Sequence, residues 1–209
     1  MVVALPVVYV VDDDEGMLES LSWLLGTVNI ECRCCNSGAD FLNKFNPSHP
    51  SCVVLDVRMP EMGGFELFEV IRERNLPTSV IFVTANGNIP MAVKALQHGA
   101  IDFVEKPYTP QEMLDRITRT LRAATTDYVQ RAERQEFDSR LALLSSREIE
   151  VLRKVVIGKR SKTIAHELGI SCKTVDAHRT NIRDKFRNQS LAALVNDVLT
   201  HVPEWRLGA

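Results

Sequence analysis

A series of short, uninterrupted apolar segments constrains the fold of the first half of the chain more than any other feature. Three of them are rich in β-branched residues and lie at Val7–Val11, 52–55 and 80–83, and weaker candidates lie at 31–34 and 101–104. Strands that are apolar at every position are typical of parallel sheets, because helices cover such sheets on both faces. The segments therefore predict five parallel strands.

Helix-length segments lie between and after these strands. They span 16–27, 39–44, 64–74, 90–98 and 110–124. Gly99 is well placed to end the fourth of them, since glycine readily adopts the left-handed conformation that closes a helix. Five strand–helix units predict an α/β doubly wound domain with a five-stranded parallel sheet and roughly 120 residues.

The last part of the chain has the pattern of an all-α domain. Serines are placed to cap three successive helices and glycines to end the first two: Ser145, Ser161, Ser171, Gly158 and Gly169. Ser145 and Glu148 together have the spacing of a capping box. The second and third helices, joined through Gly169, predict a helix-turn-helix motif. A last helix is expected at about 190–199.

We therefore expect two domains, at 5–122 and 141–203. The segment 123–140 is polar and has neither proline nor glycine, which favours a helical linker. Residues 1–125 carry 10 Lys and Arg against 16 Asp and Glu, whereas residues 141–209 carry 12 against 7. A basic second domain beside an acidic first one predicts that the second binds a polyanion.

Composition narrows the class of protein. Hydrophobic residues make up 45% and charged residues 25% of the chain, which excludes a disordered or fibrous protein. No apolar stretch reaches the roughly 20 residues of a membrane span. No Lys or Arg precedes Arg33, so we expect no signal peptide and a cytoplasmic protein.

The five cysteines argue against a disulfide framework, because their number is odd and three lie at 32–35. These three are interpreted as small buried residues on a strand, since a second pair of metal ligands at zinc-finger spacing is missing from the sequence.

Polar residues follow four of the predicted strands. Three aspartates lie at 12–14, Asp56 and Thr84 end later strands, and Lys106 follows the fifth. In open parallel sheets the carboxyl ends of the strands meet at one edge, where ligands bind. Clustered carboxylates repel one another unless a cation neutralises them, and an oxygen-rich site suits Mg²⁺. A carboxylate beside such a metal can act as a nucleophile and form an aspartyl phosphate, whose oxygens Lys106 and Thr84 would hold.

With these residues the chain resembles a two-component response regulator of the FixJ/NarL type. The matching strings are VVDDD at 10–14, LDVRMP at 55–60, VTA at 83–85, IPMAV at 89–93, GAIDF at 99–103 and EKP at 105–107. They span nearly the whole first half. The resemblance implies a flavodoxin-like receiver domain at 5–122.

The resemblance also implies a role for each matching residue. Asp56 accepts a phosphoryl group from a sensor histidine kinase, and Thr84 and Lys106 contact that group. Mg²⁺ is held by three carboxylates and one backbone carbonyl, those of Asp12, Asp13, Asp56 and Arg58. Phe103 resembles the aromatic residue that turns inward when Thr84 moves, although a plain core phenylalanine is the alternative.

Two departures from the pattern concern this site. The FixJ-like pattern often has His-Gly-Asp after the threonine, where this chain has Asn86, Gly87 and Asn88, and positions of this kind border the path of the attacking water. Because Asn86, Gly87 and Asn88 depart from that pattern, the sequence does not predict how long the phosphoryl group lasts on the protein. Asp14 is an additional acid that either reaches the metal or caps a helix.

In the predicted helix-turn-helix, the second helix lies in the major groove and the first crosses the DNA backbone. With Val175, Ile182 and Phe186 turned inward, the outer face carries a mixed set of residues, flanked by Arg179 and Arg183: Lys173, Asp176, Ala177, Thr180, Asn181 and Asp184. The charge of Asp176 is unfavourable next to DNA, although an acid can accept a hydrogen bond from a cytosine amino group. The residues expected to contact phosphates or base edges are Lys162, Lys173, Thr174, Ala177, Arg179, Thr180, Asn181 and Arg183. Of these, Ala177, Thr180 and Asn181 are the expected base readers.

The second half also resembles the LuxR-type DNA-binding domain. The strings are LSSREIEVL at 144–152, KTIA at 162–165, LGIS at 168–171 and TVDAHR at 174–179. Ser161 replaces the asparagine that is usual in this family. In relatives the last helix mediates dimerisation on DNA. Its apolar stripe in this chain, Leu191, Leu194, Val195 and Val198, fits that role or covers the domain's own core.

The sequence thus predicts a DNA-binding transcription regulator that is switched by Mg²⁺-dependent phosphorylation of Asp56 and is not a turnover enzyme. Its expected partners are a histidine kinase, a promoter with two half-sites, a second copy of the phosphorylated chain and, as a further candidate, RNA polymerase. Activation would act through the fourth helix, fifth strand and fifth helix, by dimerisation or by release of the second domain. A Mg²⁺ phosphatase and a receiver that acts only through protein contacts are the alternatives.

Overall fold

The computed structural model of the chain describes residues 4–187 and 190–207. The chain divides into two compact units at the Gln130–Arg131 bond. The first unit contains a parallel sheet flanked by helices, and the second contains helices. This confirms the predicted fold class.

The sheet of the first unit has five parallel strands in the order β2-β1-β3-β4-β5. The strands are β1 (Val7–Val11), β2 (Glu31–Cys35), β3 (Ser51–Asp56), β4 (Ser79–Thr84) and β5 (Asp102–Glu105). Each agrees with a predicted segment to within about one residue at either end, which is the usual uncertainty of strand boundaries.

The helices of this unit cover both faces of the sheet. They are α1 (Glu15–Gly26), α2 (Gly38–Lys44), α3 (Gly64–Glu73), α4 (Ile89–Gln97) and α5 (Pro110–Ala142). Strand β1 is buried along its whole length, with Val7, Tyr9 and Val11 in one core cluster and Val8 and Val10 in the other. Burial on both faces is the reason that this strand is apolar at every position.

Helix α5 is longer than the predicted helix at 110–124 because nothing in its sequence ends it. No glycine or proline lies between Pro110 and Ala142. The predicted linker at 123–140 therefore lies within this helix. Phe137, near its end, is buried in the core of the second unit.

The helices that follow are α6 (Ser146–Val156), α7 (Ser161–Leu168), α8 (Cys172–Phe186) and α9 (Leu191–His201), and a short 3₁₀ segment comes after them (Pro203–Leu207). The capping box of Ser145 and Glu148 is formed, and Ser171 caps α8. Ser161 was expected to cap α7, and this is wrong. Arg160 is the N-cap residue, and Ser161 is the first residue of the helix.

Five side chains illustrate the core of the second unit. Val175, Ile182 and Phe186 of α8 and Leu194 and Val198 of α9 are buried in one cluster. The apolar stripe of α9 therefore contributes to the domain's own core, which was the second of its two interpretations.

No helix in the part of the chain that the structure describes combines the length and the apolar character needed to cross a membrane. All five cysteines are free thiols. Burial raises the pKa of Cys32 and of Cys35 to about 12, which keeps both thiols protonated at neutral pH.

The start of α3 packs so closely on β3 that only glycine fits. A Cβ atom on Gly64 would lie 2.1 Å from the backbone oxygen of Asp56. We expect Gly64→Ala to lower the free energy of unfolding by at least about 1–3 kcal/mol, the usual effect of overpacking. Chemical denaturation followed by circular dichroism measures this loss.

Gly26→Ala is the matched control, because an added Cβ on Gly26, at the end of α1, meets nothing within 4 Å. We expect it to be neutral or slightly stabilising, since alanine is favoured in helices. Equal effects of the two substitutions would contradict the close packing at Gly64.

Glu148 links the start of α6 to α8 and should make the second unit sensitive to acid. Its carboxylate accepts from the Ser145 backbone at 2.8 Å and from the Lys185 ammonium at 2.7 Å. Burial raises the pKa of Glu148, but these hydrogen bonds outweigh burial and hold that pKa below its ordinary value. The charged form therefore stabilises the fold above the unfolded-state pKa of about 4.3, and this stabilisation is lost as the pH falls through the lower folded-state value.

We expect Glu148→Gln to cost about 1–3 kcal/mol at pH 7 and to reduce the loss of stability from about pH 5 downwards. Denaturation followed by Trp205 fluorescence in a Trp23→Phe background measures both effects. An unchanged dependence on pH in the variant would show that Glu148 is not the responsible group.

Candidate functional site

The carboxyl ends of four strands bring polar side chains together at one edge of the sheet. Asp12 follows β1, Asp56 ends β3, Thr84 ends β4 and Lys106 follows β5. Asp12, Asp56 and Thr84 are 4%, 7% and 1% exposed. Side chains so little hydrated need partners within the protein, because a buried charge is costly unless it is paired.

Lys106 provides the partner for both carboxylates. Its Nζ atom lies 2.8 Å from Oδ2 of Asp12 and 2.9 Å from Oδ1 of Asp56. Burial lowers the pKa of the Lys106 ammonium, but its hydrogen bonds to the two carboxylates outweigh burial and raise that pKa above its ordinary value. The lysine is therefore fully charged at neutral pH and neutralises part of the acidic pocket.

Backbone amides bind the second oxygen of each carboxylate. The Arg58 amide donates to Oδ2 of Asp56 at 2.5 Å, and the Asp14 amide donates to Oδ1 of Asp12 at 2.9 Å. Hydrogen bonds to both oxygens of a carboxylate fix its orientation. Asp56 is thus held in a defined position, as a nucleophile requires.

Thr84 lies beside this pair, next to a loop with a glycine. Its hydroxyl accepts from the Asn86 amide at 3.3 Å, and its carbonyl accepts from the Lys106 amide at 2.7 Å. A Cβ atom on Gly87 would lie 3.0 Å from the Phe103 ring and 3.1 Å from the Thr84 methyl. The threonine and the aromatic ring are therefore neighbours across this glycine.

Phe103 is half-buried and packs at the edge of a core cluster, with its ring 6.3 Å from that of Phe82. The ring thus contributes to the core and also lies near Thr84, and its role as a switch residue remains a prediction.

The other two aspartates of the first loop differ from Asp12. Oδ1 of Asp14 accepts from the amides of Gly16 and Met17, so that Asp14 caps α1. Asp13 is exposed. Among the described residues, no three His, Cys, Asp or Glu side chains are grouped so that they could together hold a metal ion. The structure therefore brings Asp12 and Asp56 together but does not add Asp13 to them.

The donor set nevertheless fits Mg²⁺. This ion retains several waters and commonly binds proteins through one or two carboxylates together with phosphate oxygens. Asp12 and Asp56 are two such carboxylates at one edge of the sheet, and their shared contact with Lys106 shows that a cation is accommodated between them. A dedicated cage of three or more carboxylates is not required.

The second candidate site is the outer face of α8. The side chains of Lys173, Thr174, Ala177, Thr180 and Asn181 are exposed, and so is that of Lys162 on α7. Arg179 and Arg183 are half-buried. All eight predicted contact residues are thus at least partly accessible, and the opposite face of α8 is buried.

Sequence reasoning missed a contact between α7 and α8. Ser161 bonds to Asp176 and to Arg179 through its hydroxyl. The replacement of the usual asparagine by Ser161 and the acidic Asp176 in a basic stretch were the available signals, but neither indicated that the two residues are in contact.

Comparisons with known proteins agree with this architecture. The family model of the response regulator receiver domain matches residues 8–118, and that of the bacterial regulatory proteins of the luxR family matches residues 142–197. The chain is a two-component response regulator. It combines a receiver domain with a LuxR-type DNA-binding domain.

Full-length relatives have the same arrangement. The chain is 40% identical to the transcriptional regulatory protein TdiR of Thauera aromatica over 92% of its own length and 85% of the relative's. It is 38% identical to the transcriptional regulatory protein FixJ of Azorhizobium caulinodans over 92% and 91% of the two chains. The solved structure of the response regulator StyR is similar with a TM-score of 0.87 and 38% identity, over 94% of this response regulator and 100% of StyR.

The contact of Lys106 with two carboxylates generates a prediction. Lys106→Met leaves Asp12 and Asp56 facing each other without their cation, and we expect it to destabilise the receiver domain by about 1–3 kcal/mol at pH 7. Chemical denaturation at pH 7 measures this loss.

Lys44→Met is the matched control. Lys44 also pairs with a carboxylate, that of Asp40, but it is exposed, and exposed ion pairs contribute little. If both variants lost the same stability, the pairing at Lys106 would have no special importance.

Proposed function

We propose that this response regulator is switched by Mg²⁺-dependent transfer of a phosphoryl group from a partner histidine kinase to Asp56. The observation that carries the proposal is the pair of buried carboxylates, Asp12 and Asp56, held by one lysine at the edge of the sheet. Such a site combines an oriented nucleophile with the Lys106 ammonium, which can move with the negative charge as the phosphoryl group binds.

Each residue then has a defined task. An oxygen of Asp56 attacks the phosphorus of a phosphohistidine, the P–N bond breaks and the imidazole leaves. Lys106 transfers its hydrogen bond from Asp56 to an oxygen of the bound phosphoryl group. The Thr84 hydroxyl, at the end of the neighbouring strand, donates to another of these oxygens. Transfer of this kind depends on positioning and charge neutralisation more than on covalent chemistry by the protein.

The metal would be held by Asp12, Asp13 and Asp56 together with the Arg58 carbonyl. When bound, Mg²⁺ neutralises the charge shared by the carboxylates and the phosphoryl oxygens. The exposed side chain of Asp13 is the member of this set that has to turn towards the others.

Phosphorylation would be transmitted through Thr84 and Phe103 to the surface of α4, β5 and α5. Several large apolar side chains are exposed on α4 and beside β5, namely Ile89, Val93, Leu96 and Ile101. An exposed apolar patch is typical of an interaction surface, and we propose that the phosphorylated chain forms a homodimer through it. For a hundredfold change in population, phosphorylation must favour the active state by about 2.7 kcal/mol.

The dimer would bind two half-sites of a promoter through α8. Lys162, Lys173, Arg179 and Arg183 would contact phosphates, and Ala177, Thr180 and Asn181 would contact base edges. Thr174 lies at the exposed start of α8, where its hydroxyl is 2.8 Å from that of Ser171, and it would contact the DNA backbone. A cytoplasmic location remains a prediction.

Treatment with a small phosphodonor and Mg²⁺ tests the proposal. Wild type should gain the mass of one phosphoryl group by intact mass spectrometry and should sediment faster, because dimerisation follows. Asp56→Asn should gain nothing. Asp40→Asn, which changes a partly exposed aspartate of α2, is the matched control and should behave like wild type. Equal labelling of the Asp56→Asn variant would show that another residue accepts the phosphoryl group.

A further inference from the structure

One serine hydroxyl joins the two helices of the DNA-binding motif through charged side chains. The Ser161 hydroxyl donates to Oδ1 of Asp176 at 2.7 Å and accepts from a guanidinium nitrogen of Arg179 at 2.6 Å. A serine hydroxyl has one donor and two acceptor sites, so both bonds can exist at once. Because each partner is charged, both bonds are of the stronger, charge-assisted kind.

Ser161 is available for these bonds because it does not cap its helix. The hydroxyls of Ser145 and Ser171 accept from backbone amides at the starts of α6 and α8. The N-cap of α7 is Arg160 and makes no such side-chain bond, which places Ser161 in the first turn. Its hydroxyl therefore turns to α8 instead of to its own helix.

The two partners of Ser161 lie on one face of α8, because residues three apart on a helix are neighbours. Arg179 is half-buried, whereas Lys173 and Thr180, which are also on α8, are exposed. The carboxylate of Asp176 stands in a strongly basic stretch, since residues 147–187 carry 11 Lys and Arg against 5 Asp and Glu. A carboxylate on a surface that binds phosphates is unfavourable unless it performs a task there.

We infer that Ser161 is a positioning residue for DNA binding, an inference that rests on the proposed binding of DNA by α8. The hydroxyl holds Arg179 so that the remaining N–H donors of the guanidinium meet a backbone phosphate. Asp176 keeps the hydroxyl in the orientation in which its oxygen accepts from Arg179. A phosphate is favoured over a base edge, because Ser161 anchors the arginine to α7, and the first helix of such a motif crosses the DNA backbone.

Binding of the full-length protein to a labelled mixed-sequence duplex tests this role at several salt concentrations. Ser161→Ala should weaken binding roughly three- to tenfold, which is less than the full contribution of a bond to a charged group, because the released arginine can still reach the phosphate. The slope of log K against log salt should fall by up to about 0.9, the value for one phosphate contact. Ser161→Thr keeps the hydroxyl and should restore both values. Ser139→Ala is the matched control, because that hydroxyl donates only to the helix carbonyl of Glu136.

Two variants of Asp176 distinguish a role in positioning the Ser161 hydroxyl from simple repulsion between the Asp176 carboxylate and DNA. Asp176→Asn removes the charge but keeps an acceptor oxygen, whereas Asp176→Ala removes both. Relief of repulsion alone predicts equally tighter binding by the two variants. If Asp176 orients the hydroxyl, the asparagine variant binds DNA more tightly than the alanine variant.

A double variant decides whether Ser161 acts through Arg179. In an Arg179→Ala background, Ser161→Ala should cost nothing further. An additional loss in that background, or wild-type affinity of Ser161→Ala alone, would overturn the inference, and melting temperatures check that each variant is folded. Absence of any salt-dependent binding by wild type would overturn the DNA-binding function itself, which distinguishes the two failures.

Discussion

The contact between the Lys106 ammonium and the carboxylates of Asp12 and Asp56 is the interaction on which the receiver site depends. It forms only because β1, β3 and β5 run parallel and end at the same edge of the sheet, with residues 50 to 94 positions apart in the chain meeting at hydrogen-bond distance. Two buried carboxylates without the lysine would repel each other. With it both are paired and oriented, which is the arrangement that the proposed phosphoryl transfer needs.

The close approach of α3 to β3 supports the same geometry. Gly64 lies directly against the backbone of Asp56, so the start of a helix packs on the strand that carries the proposed phosphoryl acceptor. The Arg58 amide, between this strand and α3, then binds one carboxylate oxygen of Asp56. The position of Asp56 is thus set by backbone packing, which a change in an exposed side chain would not disturb.

The sequence was sufficient to predict the sheet and the principal residues of its site, because both depend on repeating physical rules. Strands buried on both faces must be apolar throughout, and polar residues at their carboxyl ends must meet.

The sequence was not sufficient to predict the contacts of the Ser161 hydroxyl. The spacing of Ser145 and Ser171 from their helices made a cap at Ser161 a reasonable expectation, but Arg160 occupies that position and the hydroxyl bonds across to α8. Contacts between side chains that lie 15 to 18 residues apart on two helices depend on how the helices pack, which no local pattern encodes. The helical character of 123–140 was predicted from the absence of proline and glycine, but its continuity with the helix at 110–124 in one α5 was not.

The receiver site and the DNA-binding face have one arrangement in common. In each, a cationic side chain suited to phosphate is held by a carboxylate, directly at Lys106 and through the Ser161 hydroxyl at Arg179, before any phosphate binds. Lys106 has three N–H donors, of which two bind Asp12 and Asp56. Arg179 has five, of which one binds Ser161 and, through it, Asp176. Holding the cation in advance lowers the entropy lost when an anion binds, and the remaining N–H donors set the direction from which that anion is bound.

The two arrangements differ in the role of the carboxylate that holds the cation. Asp56 is the proposed acceptor of the phosphoryl group, so phosphorylation changes the partner of Lys106 itself, whereas Asp176 is unchanged when DNA binds. The first arrangement can therefore act as a switch, and the second can only position.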